Sequence, residues 1–265
     1  MLQLNTDKML ARVENGVGWV TFNNPERRNA VSLEMWQALG DIMEAFDADD
    51  AVRVVVLTGA GGKSFVAGAD ISEFEAQRAS SEQRQSYGVV SGRGFAALGR
   101  CGKPVIAMIR GYCIGGGLLL ALACDVRFAT PGSKFGVPAA KLGLGYDYPG
   151  VAALARLVGP ARTADILYSA RQLDADEALR SGLIEFVVDD AALEQRVNDY
   201  ATLITNNAPL TIRAVKASLQ AYARYTQRAD LAEIEGLVKR CYDSDDYREG
   251  RRAFMEKRKP SFQGR

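Results

Sequence analysis

The sequence contains no histidine among its 265 residues. This absence excludes Ser-His-Asp and Cys-His nucleophilic catalysis, a histidine-ligated metal and a histidine general base. Any proton transfer must therefore use an aspartate, glutamate, tyrosine, lysine, cysteine or water. Paired cysteines are lacking too: Cys101, Cys113, Cys124 and Cys241 form no CxxC motif, so their spacing predicts neither a disulfide framework nor a zinc site.

A strong charge of either sign is also missing, since 33 basic residues stand against 32 acidic ones and the formal net charge is +1. This balance offers no particular attraction for nucleic acid or for an anionic membrane. The longest apolar run, at residues 115–124, is far shorter than the roughly 20 residues that span a bilayer. Residues 1–12 hold no apolar stretch of signal-peptide length. We therefore expect a cytoplasmic protein with no membrane or nucleic-acid partner.

Short β-branched runs alternate with helical segments through the first two-thirds of the chain. This order predicts an α/β core of parallel strands joined by crossover helices. The predicted strands are residues 17–22, 52–58, 104–109 and 125–130. After residue 188 only helices are predicted, at residues 191–206, 209–223 and 229–259. We expect a core over residues 1–190, followed by a helical C-terminal lobe over residues 191–265.

The first of two glycine-rich stretches runs from Gly59 to Ser64 and ends in Gly-Lys-Ser, as a phosphate-binding P-loop does. A P-loop needs a further glycine where this sequence has Leu57, inside the preceding strand. The residues after Ser64 turn again at Gly68 instead of continuing as an apolar helix. We interpret this stretch as a loop that leaves a strand, not as a nucleotide site.

The second stretch, Gly115 to Gly117, lies between a predicted strand and a short apolar helix. Glycines let the backbone approach a ligand closely. They also leave free N–H groups at a helix N-terminus, where partial positive charge gathers. The arrangement suits an anion or a carbonyl oxygen that becomes anionic, whereas glycines that only permit close helix packing are the alternative.

Taken together and in order, the motifs resemble those of the crotonase superfamily, the enoyl-CoA hydratase/isomerase family. The resemblance covers nearly the whole chain, from about residue 13 to 262. The matching motifs are Asn24-Pro25 with Asn29-Ala30, LTG at 57–59 with FVAGADI at 65–71, KPVIA at 103–107 with GYCIGGG at 111–117, FGVP at 135–138 and the C-terminal helix at 245–259.

The resemblance implies a crotonase-like spiral of ββα turns with a helical trimerisation lobe, assembled as a homotrimer or a hexamer. It implies an acyl-CoA substrate, with coenzyme A as part of that substrate, and neither a separate cofactor nor a metal. By motif match, the N–H groups of Ala69 and Gly116 form the oxyanion hole. Further residues expected at the substrate or CoA are Arg27, Ala67, Gly68, Asp70, Ile71, Tyr112, Gly115, Gly117, Ala139 and Lys257.

The sequence departs from the family pattern at both usual catalytic glutamates. The position two residues after the three glycines is Leu119, and the position after FGVP is Ala139. Neither side chain can move a proton, and a positioned acid or base contributes roughly 10²–10⁴-fold to a rate. We therefore expect ordinary hydration to be slow.

A substitute acid or base is available in Asp147, the only carboxylate between Phe135 and Gly150. Some relatives place a catalytic aspartate at this point; the alternative is a loop aspartate stabilised by the dipole of the following helix. Other side chains that could approach the acyl group, or that serve only packing and solvation, are Tyr112, Tyr146, Tyr148, Glu73 and Glu75.

Two functions therefore remain open at the level of sequence, and a third has no support. The chain is either an enzyme that forms an enolate from an acyl-CoA, or a non-catalytic acyl-CoA-binding protein that kept the oxyanion hole. An RNA-binding relative is disfavoured by the neutral charge balance. The direction of the Asp147 carboxylate separates the first two, because a base must face the acyl group.

Overall fold

The computed structural model describes residues 4–70, 81–225, 239 and 242–261. Their strands are β1 (Met9–Glu14), β2 (Val17–Phe22), β3 (Val54–Gly59), β4 (Ser64–Val66), β5 (Val105–Ile109), β6 (Tyr112–Ile114), β7 (Val126–Ala129), β8 (Lys134–Gly136), β9 (Leu173–Asp174) and β10 (Phe186–Val187). Their helices are α1 (Leu33–Ala48), α2 (Ser81–Arg100), α3 (Gly116–Ala123), α4 (Tyr148–Ser169), α5 (Ala175–Arg180), α6 (Asp190–Thr205), α7 (Pro209–Tyr225) and α8 (Asp245–Met255).

The strands form two sheets, and the chain passes between them several times. The larger sheet has the order β1-β2-β3-β5-β7-β10, and the smaller has the order β4-β6-β8-β9. Strands β3, β5 and β7 join the larger sheet, and the strand after each joins the smaller one. The order then reverses, with β9 in the smaller sheet and β10 in the larger. Within the larger sheet all pairs after β1–β2 are parallel, as the sequence predicts.

Helix α1 forms because Ser32 caps it and a buried stripe follows. The Ser32 side chain accepts a hydrogen bond from the Met35 N–H, which satisfies one orphan donor of the first turn. Leu39, Ile42 and Met43 are fully buried in the main core, at the spacing of one helix face. The stripe fixes α1 against the sheets.

Helix α6 covers the other face of the larger sheet. Leu193, Val197 and Ala201 are fully buried there, in a second apolar cluster with strand residues such as Val54 and Ile106. Helix α7 is attached differently: the Lys216 ammonium lies 2.5 Å from an Asp125 carboxylate oxygen, and Lys216 is almost fully buried. Burying this pair ties α7 to the start of β7.

The predicted single helix over residues 229–259 is wrong in its C-terminal half. Ser244 adopts an extended conformation, and its side chain accepts a hydrogen bond from the Tyr247 N–H at 3.0 Å. A new helix, α8, therefore begins at Asp245. Residues 229–238, 240 and 241 of the predicted helix lie outside the described residues.

The loop after β3 confirms the exclusion of a P-loop. It leads from Gly59 to β4, and a short strand follows it instead of a helix. Gly61 and Gly62 both adopt positive φ, at 78° and 68°, which other residues reach only with strain. None of the helices in the described ranges is long and apolar enough to cross a bilayer.

Candidate active site

Two turns at the ends of neighbouring strands build the centre of the site. Strands β4 and β6 are paired in parallel, with Val66 opposite Cys113. Ala69 and Gly116 each lie three residues beyond that pair. A Cβ atom built on Gly116 would stand 3.8 Å from the Ala69 backbone nitrogen. The sequence-predicted pair of N–H groups is therefore adjacent in space.

The turn that carries Ala69 is held by the segment of residues 28–31. The Ala67 N–H donates to the Arg28 carbonyl at 3.1 Å, the Val31 N–H to the Gly68 carbonyl at 2.9 Å, and the Asp70 N–H to the Val31 carbonyl at 3.1 Å. Because Val31 bonds the residues on either side of Ala69, the Ala69 N–H faces away from it. Among the described residues this N–H has no acceptor.

The turn that carries Gly116 is the start of helix α3. Gly115 adopts φ 57°, and its N–H donates to the Gly136 carbonyl at 2.8 Å. The N–H of Gly116, the first helical residue, has no acceptor within the described part of the chain. The helix dipole adds partial positive charge at this point. Gly117 must lack a side chain, since a Cβ there would overlap the Val66 carbonyl.

Asn29 supports the start of the strand that leads into the Ala69 turn, a role that the sequence motif did not reveal. Its side chain is fully buried and donates to the carbonyls of Ala60 at 3.0 Å and Ser64 at 2.8 Å. Its side-chain oxygen accepts from the Asn24 N–H at 2.9 Å. Asn29 has φ 56°, a conformation that asparagine tolerates better than most residues. The presence of asparagine at this position was the one indication in the sequence of its structural role.

Arg27 and Asp70, both expected to contact the substrate, form an ion pair at the Ala69 turn. The Arg27 guanidinium lies 3.2 Å from an Asp70 carboxylate oxygen. The Asp70 side chain is 11% exposed and that of Arg27 57% exposed. The guanidinium therefore stands on the surface directly beside the oxyanion turn.

The side of the site that carries Leu119 and Ala139 is apolar where the crotonase resemblance implies glutamates. Leu119 lies one helical turn beyond Gly115, with its N–H bonded to the Gly115 carbonyl at 3.1 Å. Ala139 is buried and follows Pro138, whose Cδ atom would stand 4.0 Å from a Cβ built on Gly115. Both positions therefore lie at the glycine turn, as expected, and neither carries a titratable group.

Tyr146 contributes the polar atom on this side. A Cβ built on Gly150 would stand 3.0 Å from a Leu119 methyl carbon and 3.0 Å from the Tyr146 ring, so that ring packs beside Leu119. The Tyr146 hydroxyl oxygen is buried and has no hydrogen-bond partner among the described residues. Burial, and secondly the Asp147 charge, raise the pKa of the Tyr146 hydroxyl well above its usual value.

Asp147 itself is exposed at the N-terminus of helix α4. Its backbone carbonyl accepts from the Gly150 N–H at 3.1 Å and from the Val151 N–H at 3.3 Å, but its side chain makes no capping hydrogen bond. The carboxylate thus stands next to the buried Tyr146 hydroxyl and not within the apolar wall.

Two predicted residues lie apart from this arrangement. The Tyr112 ring lies under the Arg28 guanidinium, 5.1 Å from the ring centre. Lys257 is exposed just beyond the end of α8, with φ 53°. Ile71, Glu73 and Glu75 lie outside the described residues. Across the described ranges, no three carboxylate or thiol groups are arranged to hold a metal ion.

Comparison with known proteins assigns this arrangement to a family. The family model described as enoyl-CoA hydratase/isomerase matches residues 12–265. The chain belongs to the enoyl-CoA hydratase/isomerase family. This confirms the crotonase resemblance, the fold class and the acyl-CoA class of enzyme.

Individual members of the enoyl-CoA hydratase/isomerase family match over almost their full length. The short-chain-enoyl-CoA hydratase of Clostridium acetobutylicum is 32% identical, over 97% of each protein. The structure of an enoyl-CoA hydratase/carnithine racemase from Magnetospirillum magneticum is 40% identical, with a TM-score of 0.81 over 98% of this chain and 97% of that one. A methylmalonyl-CoA decarboxylase in complex with 2-nitronate-propionyl-CoA is 27% identical, with a TM-score of 0.87 over 98% and 99%.

Proposed function

We propose that this family member stabilises an acyl-CoA enolate with the backbone N–H groups of Ala69 and Gly116. The observation that carries the proposal is their adjacency, with neither group bonded to an acceptor among the described residues. A thioester oxygen placed between them would accept two hydrogen bonds. Such donors are fixed before the reaction, so they stabilise the developing negative charge at no cost in reorganisation, and each is worth roughly 10²–10³-fold in rate.

Leu119 and Ala139 limit which reactions this enolate can enter. Hydration requires a side-chain group that positions and deprotonates water, and neither Leu119 nor Ala139 carries such a group. We propose that the chain carries out another step through the enolate, or hydrates only slowly. Asp147 is our candidate for a proton-transferring group, because it is the only carboxylate between Phe135 and Gly150 and its charge acts on the Tyr146 hydroxyl.

A second candidate reaction is decarboxylation of an acyl-CoA that bears a carboxylate on C2. The apolar wall favours it, because loss of CO₂ needs no general base. The bond between C2 and the carboxylate carbon breaks, its electron pair passes into the thioester as the enolate, CO₂ leaves, and water returns a proton to C2. The methylmalonyl-CoA decarboxylase structure shows that this fold accommodates such an activity.

The non-catalytic alternative is a protein that binds acyl-CoA without converting it. The exposed position of Asp147 favours this alternative, since no carboxylate is buried in the acyl wall of the described residues. A screen of CoA thioesters separates the two functions. We expect calorimetry to show tighter binding of thioesters than of free acids, together with turnover of at least one thioester.

The variant that tests the enolate is Gly116→Pro. Gly116 is the first residue of α3, where proline is well tolerated, and the substitution replaces the N–H group with the Cδ atom of the ring. Gly116→Ala is the matched control, because a Cβ there has ordinary van der Waals room and the N–H is kept. We expect the proline variant to lose roughly 10²–10³-fold in kcat and the alanine variant to lose little. Equal activity of both variants would reject the oxyanion role.

We also propose that the protein assembles as a homotrimer or as a hexamer of two trimers. Helix α7 exposes several large apolar side chains, which a partner surface would cover. Their exposed fractions are 80% for Leu210, 54% for Val215, 57% for Leu219 and 68% for Tyr222. Light scattering at micromolar concentration tests this, and a monomer would contradict it.

A further inference from the structure

The Tyr146 hydroxyl is a buried polar atom without a hydrogen-bond partner in the described part of the chain. Buried polar groups in folded proteins nearly always have a partner, because leaving one unsatisfied is costly. An exception therefore calls for a physical explanation. A ligand that supplies an acceptor when it binds is one such explanation, and the position of Tyr146 supports it.

The hydroxyl belongs to the wall that would face the acyl group. The Tyr146 ring and a Leu119 methyl carbon lie at equal distance, 3.0 Å, from the place where Gly150 would carry a Cβ. Leu119 in turn lies on the first turns of α3, which begins at the oxyanion donor Gly116. Leu119 and the Tyr146 ring therefore border the same space beside Gly150, close to the first turns of α3.

The state of the hydroxyl decides what it can do there. Burial and the neighbouring Asp147 charge both raise its pKa, so the group stays protonated at neutral pH. It is therefore a hydrogen-bond donor and not a base. In an apolar wall one fixed donor discriminates strongly between a ligand that carries an acceptor and one that does not, because only the first satisfies it.

We propose that Tyr146 is a specificity residue that donates a hydrogen bond to an oxygen atom on the acyl chain of the bound thioester. The substrate class is thus a CoA thioester whose acyl chain carries a carboxylate, hydroxyl or carbonyl oxygen, and not a plain alkanoyl or alkenoyl chain. This inference rests on the proposed acyl-CoA function and narrows it.

The test compares pairs of thioesters in which a methyl group replaces the oxygen-bearing group. Methylmalonyl-CoA is paired with isobutyryl-CoA, and 3-hydroxybutyryl-CoA with isovaleryl-CoA; acetoacetyl-CoA is compared with butyryl-CoA. Affinities of the wild type and of Tyr146→Phe are measured by calorimetry. We expect Tyr146→Phe to weaken the oxygen-bearing member of at least one pair about tenfold, and to shift its counterpart less than twofold. The pair that responds identifies the oxygen.

Two further variants control for a merely structural effect. Tyr148→Phe removes a hydroxyl two residues away and should leave every pair unchanged. Gly150→Ala keeps the Tyr146 hydroxyl but pushes its ring, because the new Cβ would stand 3.0 Å from it. We expect Gly150→Ala to reduce the same discrimination as Tyr146→Phe.

Equal weakening of both members of every pair, or no change in any pair, would overturn the inference while leaving the proposed function intact. If the wild type binds no CoA thioester, the proposed function fails and the inference fails with it.

Discussion

In the proposed site, the oxyanion side and the acyl side are made from different parts of the polypeptide. The oxyanion side consists of backbone N–H groups, held by Gly68, Gly115 and Gly117 and by strand pairing. The acyl side consists of side chains, chiefly Leu119, Ala139 and Tyr146. A backbone site changes only if the turns change, whereas a side-chain site can change its chemistry by substitution alone. The same oxyanion hole can therefore serve several reactions.

The largest effect should come from a substitution that disturbs the oxyanion side. Gly117→Ala places a Cβ against the buried Val66 carbonyl, so strand β4 or helix α3 must move. We expect the free energy of unfolding to fall by about 3 kcal/mol. Chemical denaturation measures it, with Gly116→Ala as the control that has room for its Cβ. If Gly117→Ala costs no more than Gly116→Ala, the oxyanion turns are less rigid than this comparison requires.

The next effect concerns the acyl side. Wild-type hydration of crotonyl-CoA should be slow, and the double variant Leu119→Glu/Ala139→Glu should raise it by roughly 10²-fold or more, because it supplies the missing acid and base. The rate is followed by loss of the enoyl absorbance. The double glutamine variant is the matched control, since it has the same shape but cannot transfer protons. A fast wild type would show that the two apolar positions do not limit hydration.

Asp147 sharpens the comparison further, since it lies at the edge of the acyl side. If the reaction moves a proton, Asp147→Asn should lower kcat by about 10²-fold and leave acyl-CoA affinity nearly unchanged. If the reaction is instead a decarboxylation, Asp147→Asn should leave kcat almost unchanged, because that step needs no base. Steady-state kinetics on the identified substrate distinguish the two outcomes. A parallel loss of affinity would point to a structural role at the start of α4.

The smallest effect should appear at the C-terminal turn, in the ion pairs of Glu249. Hydrogen bonds from Arg258, Arg252 and the Ser261 N–H hold the pKa of Glu249 well below its usual value of 4.5. Because the folded-state pKa is lowered, this contribution to stability is fully present above pH 4.5 and is lost as the pH falls through the folded-state pKa. Amide exchange at Ser261 should therefore accelerate as the pH drops below 4.5, relative to intrinsic exchange rates. Glu249→Gln should remove that pH dependence, and activity should not change.

Sequence reasoning predicted the parts of the fold that rest on long periodic patterns. Strands β2, β3, β5 and β7 of the larger sheet follow from β-branched runs and are confirmed, whereas its edge strands β1 and β10 were not predicted. The three-residue strands β4, β6 and β8 were missed, because their pairing depends on distant partners and not on local pattern. The break at Ser244 was also missed, since a single capping serine is a weak signal inside a polar helical region.

For the site, motif spacing located the adjacent Ala69 and Gly116 N–H groups but not what surrounds them. The Tyr146 hydroxyl is buried without a partner among the described residues because of how its ring packs, and a Cβ at Gly150 would crowd that ring at 3.0 Å. The exposure of Asp147 depends on how α4 begins. Both are properties of packing, which a single sequence specifies only through the completed fold.

The alternation of strands between the two sheets determines how many backbone N–H groups can donate hydrogen bonds at the site. The smaller sheet places three equivalent turns side by side, after β4, β6 and β8, because Val66, Cys113 and Phe135 are in register across it. Three residues beyond them stand Ala69, Gly116 and Pro138. Proline has no N–H, so the third turn cannot donate. Only two of the three turns therefore carry a backbone N–H group that can donate. The separation of these two groups is set by the spacing of neighbouring strands, about 4.8 Å. A single thioester oxygen fits between two such groups, and a third oxygen acceptor would find a carbon surface instead.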